Sequence, residues 1–223
     1  VINGKEKMWY VDNPWDEIAV IEKKEAALLF NKARYSSAAE AFSRISEKVS
    51  ESNRPFFQAL KTFSEGYDLW DRFQHKKAKK RLFSTRNILS TYAFGRDDKD
   101  FEQMMSRFNK NLKFLEEIET NNERKGLLQC YDLIANAQRR AEKEGKYDDA
   151  VARLYRALEA LAQYRLKSKY GIKTSNVSID RLPDTLKDEY KRKYFDNREG
   201  KIKLPLYASY QLLKQLNDEL GHN

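Results

Sequence analysis

Two histidines, His75 and His222, are the first candidates for acid–base chemistry, because the 223 residues contain no other imidazole. His75 follows Phe73-Gln74 and precedes two lysines, in what we interpret as a turn between two helices, where a solvated or capping role is favoured over catalysis. Cys130 is the only cysteine, and two histidines so far apart predict no zinc site. The sequence has no glycine-rich phosphate loop, nucleophile-elbow serine or H-E-x-x-H motif. We therefore expect neither a metal nor a cofactor.

A polar helix face is the second candidate. The apolar spacing predicts a helix from about Tyr147 to Lys167, and we expect its apolar stripe to face the core. That stripe comprises Tyr147, Ala150, Leu154, Leu158 and Leu161. Arg156, Glu159 and Gln163 then lie together on the opposite face, with Glu159 close enough to pair with Arg156. Two interpretations stay open: a solvated ion pair, or a polar face that lines a cleft between two protomers where a phosphodiester binds.

The chain is strongly basic, with a net charge of +9 and a pI near 9.4. Such a charge favours a polyanionic partner such as RNA, although a solvated lysine-rich surface is the plainer alternative. The candidates for RNA binding are Lys76, Lys77, Lys79, Lys80 and Arg81, followed by Arg139 and Arg140. Phe73 and Phe83 lie beside the first cluster and could stack on bases. They also fit helical apolar stripes, so we predict that they belong to the core.

Composition predicts a soluble helical protein. Hydrophobic residues make up 40% and charged residues 35% of the chain, and only 8 glycines and 4 prolines are available for turns. So few turn residues argue against a sandwich or barrel. No apolar run is long enough to cross a bilayer, and the single cysteine indicates a reducing compartment. We therefore expect a cytoplasmic protein that does not contact membranes.

The apolar spacing is helical along most of the chain and predicts an all-α fold of irregular antiparallel hairpins that form a bundle. A run over residues 5–11 alternates polar and apolar residues and predicts a short strand or extended linker before Asn13 and Pro14, which are suited to begin a helix. The chain begins at Val1 without methionine and ends directly after an amphipathic segment, so we expect it to be a piece of a longer protein. We predict a linker or strand from a missing domain over residues 1–12, a helical connector over 13–120 and a truncated helical domain over 121–223.

One local pattern repeats in the helices. Ala38, Ala78 and Ala150 each stand between larger residues on a helical face, where a small side chain lets the partner helix of a hairpin approach closely. Tetratricopeptide repeats contain the same pattern of small and large residues. Here the alanines are 40 and 72 positions apart, so the pattern indicates hairpin packing without a tandem array.

Several segments together resemble a known family. They are Asn13–Asp16, Glu65–Phe73, Gly145–Ala150 running into Arg153–Glu159, and Asn217–Gly221. In this order they resemble the C-terminal helical part of the CRISPR-associated CARF-domain proteins, which are related to the type III accessory ribonucleases. The likeness spans nearly the whole chain, and the order of the segments carries it.

The resemblance implies a homodimeric protein of antiviral defence with a CARF domain, a helical connector and a HEPN-like domain. In such proteins the CARF domain, outside this chain, binds a cyclic oligoadenylate, and the paired HEPN domains cut single-stranded RNA without a metal. The RNA 2′-hydroxyl attacks its own phosphodiester, and an arginine and a histidine from each protomer work at the scissile group. Their signature is an arginine, four to six residues, and a histidine.

This sequence departs from that signature. The positions where an arginine would be required are Gln215, Leu216 and Asn217 before His222, and Asp68, Leu69 and Trp70 before His75. The resemblance therefore carries over no catalytic residue, and Arg156 and Glu159 receive only a supporting polar role. We expect the helical effector region of a cyclic-oligoadenylate-regulated endoribonuclease, catalytically incomplete in these residues. The alternative is a tetratricopeptide-like protein-interaction module, or an RNA-binding module, without enzymatic activity.

Overall fold

A computed structural model describes residues 13–93 and 98–222. Their fold is all-α, as the sequence predicts, apart from one short antiparallel hairpin. The helices are α1 (Pro14–Asn31), α2 (Tyr35–Lys48), α3 (Arg54–Asp71), α4 (His75–Ala93), α5 (Lys99–Thr120), α6 (Lys125–Glu144), α7 (Tyr147–Tyr170), α8 (Asp184–Tyr194) and α9 (Leu206–Gln215). The hairpin joins β1 (Phe195–Asp196) to β2 (Lys201–Ile202), with Phe195 opposite Ile202. Single 3₁₀ turns lie at Ile179–Arg181 and Glu219–Gly221.

The chain divides into two compact units, of which the first ends at Glu116 and the second begins at Glu117. The strand or linker predicted over residues 5–11 lies outside the described residues, as does most of the turn predicted over residues 95–98. No helix in the described ranges is both long enough and apolar enough to span a membrane.

Helix ends follow the capping residues of the sequence. The Asn13 side chain accepts a hydrogen bond from the Trp15 amide at 3.1 Å at the start of α1. Asp98 does the same for the Phe101 amide at 3.0 Å and begins α5. Gly171 ends α7 at φ +67°, a left-handed conformation that glycine adopts without strain. The first of these ends confirms the helix start predicted at Asn13 and Pro14.

The first unit has a core built around the aromatic stripe of α3. Phe63 of α3 is buried, and its ring lies 5.2 Å from that of Phe30 at the end of α1 and 5.0 Å from that of Phe108 in α5. The apolar stripes of α3 and α5, whose members recur every three or four positions, are largely buried together in this cluster. Ala38 and Ala78, from the repeated small-residue pattern, are fully buried as well. In this unit the helical apolar spacing therefore coincides with the core.

Helices α3 and α4 approach closely at Gly66. A β-carbon on that residue would lie 2.6 Å from the side chain of Leu82, which is fully buried. The glycine therefore sets the spacing of the α3–α4 hairpin.

Helix α1 leaves its larger apolar side chains exposed. Ile18, Ile21 and Leu28 are between 40% and 65% exposed, whereas Ala19 and Ala26 are buried. The small side chains form the contact surface of α1, and this close contact leaves the larger side chains in solvent.

The second unit has its core where the end of α7 meets α8, α9 and the β-hairpin. Leu166 and Leu212 are fully buried there, and Tyr190 of α8 donates a hydrogen bond to the Gln215 side chain at 3.2 Å. The irregular stretch after Gly171 is tied to the hairpin by the Val177 amide, which donates to the Ile202 carbonyl at 2.9 Å.

Candidate functional site

The two histidines lie in unlike settings. The turn predicted around His75 ends earlier than expected, because α4 begins at His75 itself. The half-buried ring of His75 lies 6.0 Å from that of Phe73. His222 is exposed and follows the 3₁₀ turn Glu219–Gly221. Within the described ranges, no group of three or more His, Cys, Asp or Glu side chains is arranged to hold a metal ion.

The predicted polar group of α7 is assembled. Arg156 Nη1 donates to Glu159 Oε2 at 2.6 Å, and Gln163 Nε2 donates to Glu159 Oε1 at 3.3 Å. The Arg156 side chain is 51% exposed and that of Glu159 is 32% exposed, so solvent screens the pair. An ion pair in such a setting contributes about 0.5 kcal/mol to stability, and it can exchange its partner for a ligand at little cost. The supporting role of these residues stays a prediction.

The predicted core face of α7 is wrong for its larger side chains, Tyr147, Leu154 and Leu158, and right for Ala150. Ala150 and Ala157 are buried, and the Cys130 thiol of α6 donates a hydrogen bond to the Ala157 carbonyl at 3.6 Å. The helix therefore packs on α6 through small residues and holds its larger apolar residues away from that contact. Its exposed apolar side chains are Tyr147, Val151, Leu154, Tyr155 and Leu158.

Helix α6 contributes exposed apolar residues to the same hairpin. Tyr131 is 55% exposed and Ile134 is 47% exposed, although their spacing fits a core stripe. The Cys130–Ala157 hydrogen bond shows that this part of α6 lies alongside the middle of α7. We call the following set the α6–α7 apolar face: Tyr131, Ile134, Val151, Leu154, Tyr155 and Leu158. The signal in the sequence was the seven-residue spacing of Ala150 and Ala157, which marks the closely packed side.

The predicted RNA-binding residues on α4 are largely accessible. Lys76, Lys77, Lys80 and Arg81 are exposed, and Lys79 is half-buried. Arg81 Nε also lies 3.4 Å from the Glu65 carboxylate.

The second predicted RNA-binding cluster is engaged within the protein. Arg140 Nη1 donates to both carboxylate oxygens of Glu144, at 2.8 and 3.0 Å, and its side chain is only 15% exposed. Lys146 contacts the same carboxylate at 2.6 Å, and Arg139 is half-buried. An arginine held in this way would have to break a bidentate contact to reach a phosphate, so Arg140 is less available to a ligand than the exposed α4 residues, and the RNA-binding role of both clusters stays a prediction.

Phe83 corrects a second core prediction. Its side chain is 61% exposed on α4, in the middle of the basic residues, while Phe73 is half-buried. Leu82, its neighbour in sequence, takes the core position instead.

A buried carboxylate near the end of the described chain was missed by the sequence reasoning. Asp218 is fully buried and accepts hydrogen bonds from Arg165 Nε at 3.0 and 3.1 Å, Lys169 Nζ at 3.0 Å, the Tyr170 hydroxyl at 2.9 Å and the Leu220 amide at 3.1 Å. We call these five residues the Asp218 cluster. It ties the last turns of α7 to the 3₁₀ turn that follows α9.

The Asp218 cluster keeps its carboxylate ionised. Burial disfavours the charged form, but the hydrogen bonds from Lys169, Tyr170 and Arg165 outweigh it and hold the pKa of Asp218 well below its usual range. Local sequence gave no signal for this arrangement, because the donors precede Asp218 by about 50 residues.

Comparison with known proteins assigns both units to domains of one family. Residues 18–115 match the Csm6 6H domain, and residues 118–223 match the Csm6 HEPN domain. No curated protein and no solved structure gives a match. The Arg156–Glu159 pair, the α6–α7 apolar face and the Asp218 cluster all fall within the region that matches the HEPN domain.

Proposed function

This chain belongs to the CRISPR-associated Csm6 family as a helical HEPN ribonuclease effector region, and we propose that it serves a single-stranded RNA endoribonuclease controlled by cyclic oligoadenylate. The observation that carries the proposal is the match of residues 118–223 to the Csm6 HEPN domain. The regulatory ligand binds at a CARF domain outside these 223 residues. The helical connector, matched by the Csm6 6H domain, links that ligand to the ribonuclease.

The protein acts as a homodimer through the α6–α7 apolar face. The six side chains of this face are each between 45% and 65% exposed, and they share one hairpin. Soluble proteins rarely leave several large apolar side chains of one hairpin in water, and exposed apolar surfaces commonly mark interfaces. We propose that a second copy of this chain covers the face, because in the proposed reaction the arginine and histidine of both protomers act on one phosphodiester. A two-fold axis through α6 and α7 brings the same face of each copy together.

The polar group of α7 supports the reaction from the edge of that interface. Arg156 directly follows Tyr155 of the apolar face, and its guanidinium is accessible. Negative charge builds on the phosphoryl oxygens as the RNA 2′-hydroxyl attacks, and a guanidinium is suited to stabilise it. Glu159 pairs with this side chain, Gln163 donates to Glu159, and the exposed pair can release Arg156 to a phosphate at little cost.

Residues 1–223 do not cleave RNA by themselves. Neither histidine has an arginine five to seven positions before it, as R-x4-6-H requires. The arginine and histidine that act at the scissile phosphate therefore come from residues outside this sequence. The Asp218 cluster fixes the path of the chain at Leu220, and we propose that it orients the residues that supply this pair.

Cleavage of a fluorescent single-stranded RNA in excess EDTA tests the proposal. We expect no product from residues 1–223, and rapid product formation on addition of cyclic oligoadenylate when the same residues are joined to a CARF domain and an R-x4-6-H segment. A 2′,3′-cyclic phosphate on the 5′ product, identified by mass spectrometry, identifies attack by the 2′-hydroxyl. Robust cleavage by residues 1–223 alone would show that the active site has been misplaced. Failure of the joined protein to cut would favour the interaction-module alternative.

A further inference from the structure

A groove of about 520 Å³ lies between α4 and α5 of the first unit. Lys79, Phe83 and Arg86 form its α4 wall, and Lys80 adds a fourth side chain. The first three residues are spaced four and three positions apart, so they share one face of the helix. This wall presents an aromatic ring between cationic groups.

The α5 wall has the same spacing. This wall consists of Asn109, Lys113 and Glu116, which are spaced four and three positions apart. The buried side chain of Leu112 also lines the groove. The groove therefore carries four cationic side chains, of which Lys113 is the one from α5, against a single carboxylate. Its field favours a polyanion.

Phe83 is the informative residue of the groove. A phenylalanine that is 61% exposed contributes little to the core, and here the buried Leu82 and Leu89 fill that role for α4. The helix nonetheless places the ring beside the cationic groups that would hold a phosphate backbone.

We propose that this groove binds single-stranded RNA, with a base stacked on Phe83 and flanking phosphates held by Lys80, Arg86 and Lys113. The inference rests on the proposed function for its choice of RNA, and it adds a contact in the region that matches the 6H domain. Stacking platforms set among cationic side chains are how proteins bind single strands without reading their sequence. The bases of a duplex are already stacked and paired, and they cannot reach the ring.

Fluorescence anisotropy with a labelled, unstructured 12-nucleotide RNA tests the groove on the 223-residue chain, in EDTA and from 50 to 300 mM KCl. Phe83→Ala is expected to weaken binding roughly tenfold at each salt concentration without changing the salt slope, because it removes stacking and no charge. Phe83→Trp keeps a stacking ring and should bind within about threefold of the unchanged protein.

A double substitution separates the phosphate contacts from the stacking. Lys80→Ala with Lys113→Ala is expected to reduce the slope of log affinity against log salt by about 1.4, since each phosphate contact on a single strand accounts for about 0.7. The matched control is Lys99→Ala with Lys110→Ala, which removes two exposed charges from α5 at positions that do not line the groove. It should weaken binding less than threefold and leave most of the slope.

Three outcomes would overturn the inference: unchanged affinity of Phe83→Ala, equal losses in the two double variants, or equal competition by polyglutamate or by a duplex of the same sequence. Absence of RNA binding by the unchanged chain would overturn it as well. The EDTA cleavage assay tests the proposed function separately. If the joined protein cleaves RNA and Phe83→Ala binds RNA normally, the groove has no role in RNA binding, and the proposed function stands.

Discussion

Replacing Asp218 by asparagine should destabilise the second unit selectively. Asparagine keeps the size of the side chain and one acceptor oxygen, but it removes the negative charge that Arg165, Lys169 and Tyr170 surround. Breaking a buried ion pair by removing one partner costs about 3–5 kcal/mol. Arg165 and Lys169 are 32% and 50% exposed, so water can solvate them again and the loss is smaller. We expect the free energy of unfolding to fall by about 2–3 kcal/mol.

The chain contains a separate probe for each unit. All three tryptophans precede Glu117, while the only cysteine, Cys130, lies in the second unit and is 3% exposed. Burial also raises the pKa of the Cys130 thiol, against the opposing effect of Arg156, so it should react with a thiol reagent only after the second unit opens. Urea titrations at pH 8 that follow thiol labelling and tryptophan fluorescence in parallel therefore report the two units in one sample.

Thiol labelling of Asp218→Asn should reach its midpoint at a urea concentration about 1–2 M lower than in the unchanged protein. The tryptophan transition should stay in place. Asp184→Asn is the matched control, since Asp184 belongs to the same unit and pairs with Lys187 at 2.6 Å but is 93% exposed. Because solvent screens this pair, Asp184→Asn should leave the labelling midpoint nearly unchanged. Equal shifts for the two variants, or no shift for Asp218→Asn, would refute the assignment of the Asp218 cluster as a buried charge centre.

The pH dependence supplies a second check. The pKa of Asp218 is lower in the folded state than in the unfolded state, so its stabilisation is fully present above the unfolded value of about 3.9 and is lost as the pH falls below it. The stability difference between the unchanged protein and Asp218→Asn, measured by circular dichroism in urea, should shrink by about 1 kcal/mol between pH 6 and pH 3. A difference that stays constant over this range would mean that the carboxylate has an ordinary pKa in the fold.

Further substitutions test the interface and the close packing. Leu154→Glu places a charge in the α6–α7 apolar face and should convert the proposed dimer to a monomer in sedimentation velocity. The control is Phe195→Glu, because Phe195 is 42% exposed on β1, outside that face, and its substitution should leave the dimer intact. A dimer that survives Leu154→Glu would show that this face is not the interface. Gly66→Ala forces a β-carbon against the buried Leu82 and should cost about 1–3 kcal/mol, offset in part by about 1 kcal/mol of helix propensity, so the tryptophan transition should move to lower urea. A stabilised Gly66→Ala protein would show that α3 and α4 can move apart.

The accuracy of the sequence predictions followed the size of the residues at each helix contact. On α3, large aromatic residues recur every three or four positions, so the apolar stripe and the core face coincide, as Phe63 shows. On α7 the contact is made by Ala150 and Ala157, and the larger Leu154 and Leu158 are left outside. Apolar spacing identifies an apolar face, but it does not say whether the same chain covers that face. An alanine at every second turn was the better guide, because close helix contact excludes large side chains.

The candidate site was predictable only where its residues share one helix. Arg156 and Glu159 lie three positions apart, so helical geometry alone brings them together, and the structure places them in contact. Asp218 depends on donors from a helix about 50 residues earlier, and no local pattern reports such a meeting. Phe83 was wrongly placed in the core because it lies in the same helix as Leu82, one position away, and the spacing alone did not show that Leu82 is the buried one. A shift of one residue changes which face of a helix a side chain occupies, and spacing in a basic helix with few apolar residues does not fix that choice.

The α6–α7 apolar face and the α4–α5 groove should respond differently to salt, so their roles can be separated by experiment. A face lined by residues such as Leu154 gains stability by excluding water, so its contribution should change little with salt. If the groove around Phe83 binds RNA as proposed, its contribution should fall steeply as salt rises. In a joined protein that cleaves RNA, Leu154→Glu should therefore lower kcat at every salt concentration, because it would separate the two protomers that the proposed function requires. Phe83→Ala should instead raise KM and leave kcat nearly unchanged, since it removes binding shared by the ground state and the transition state. If both substitutions lowered kcat alone, the groove would have no part in holding the substrate.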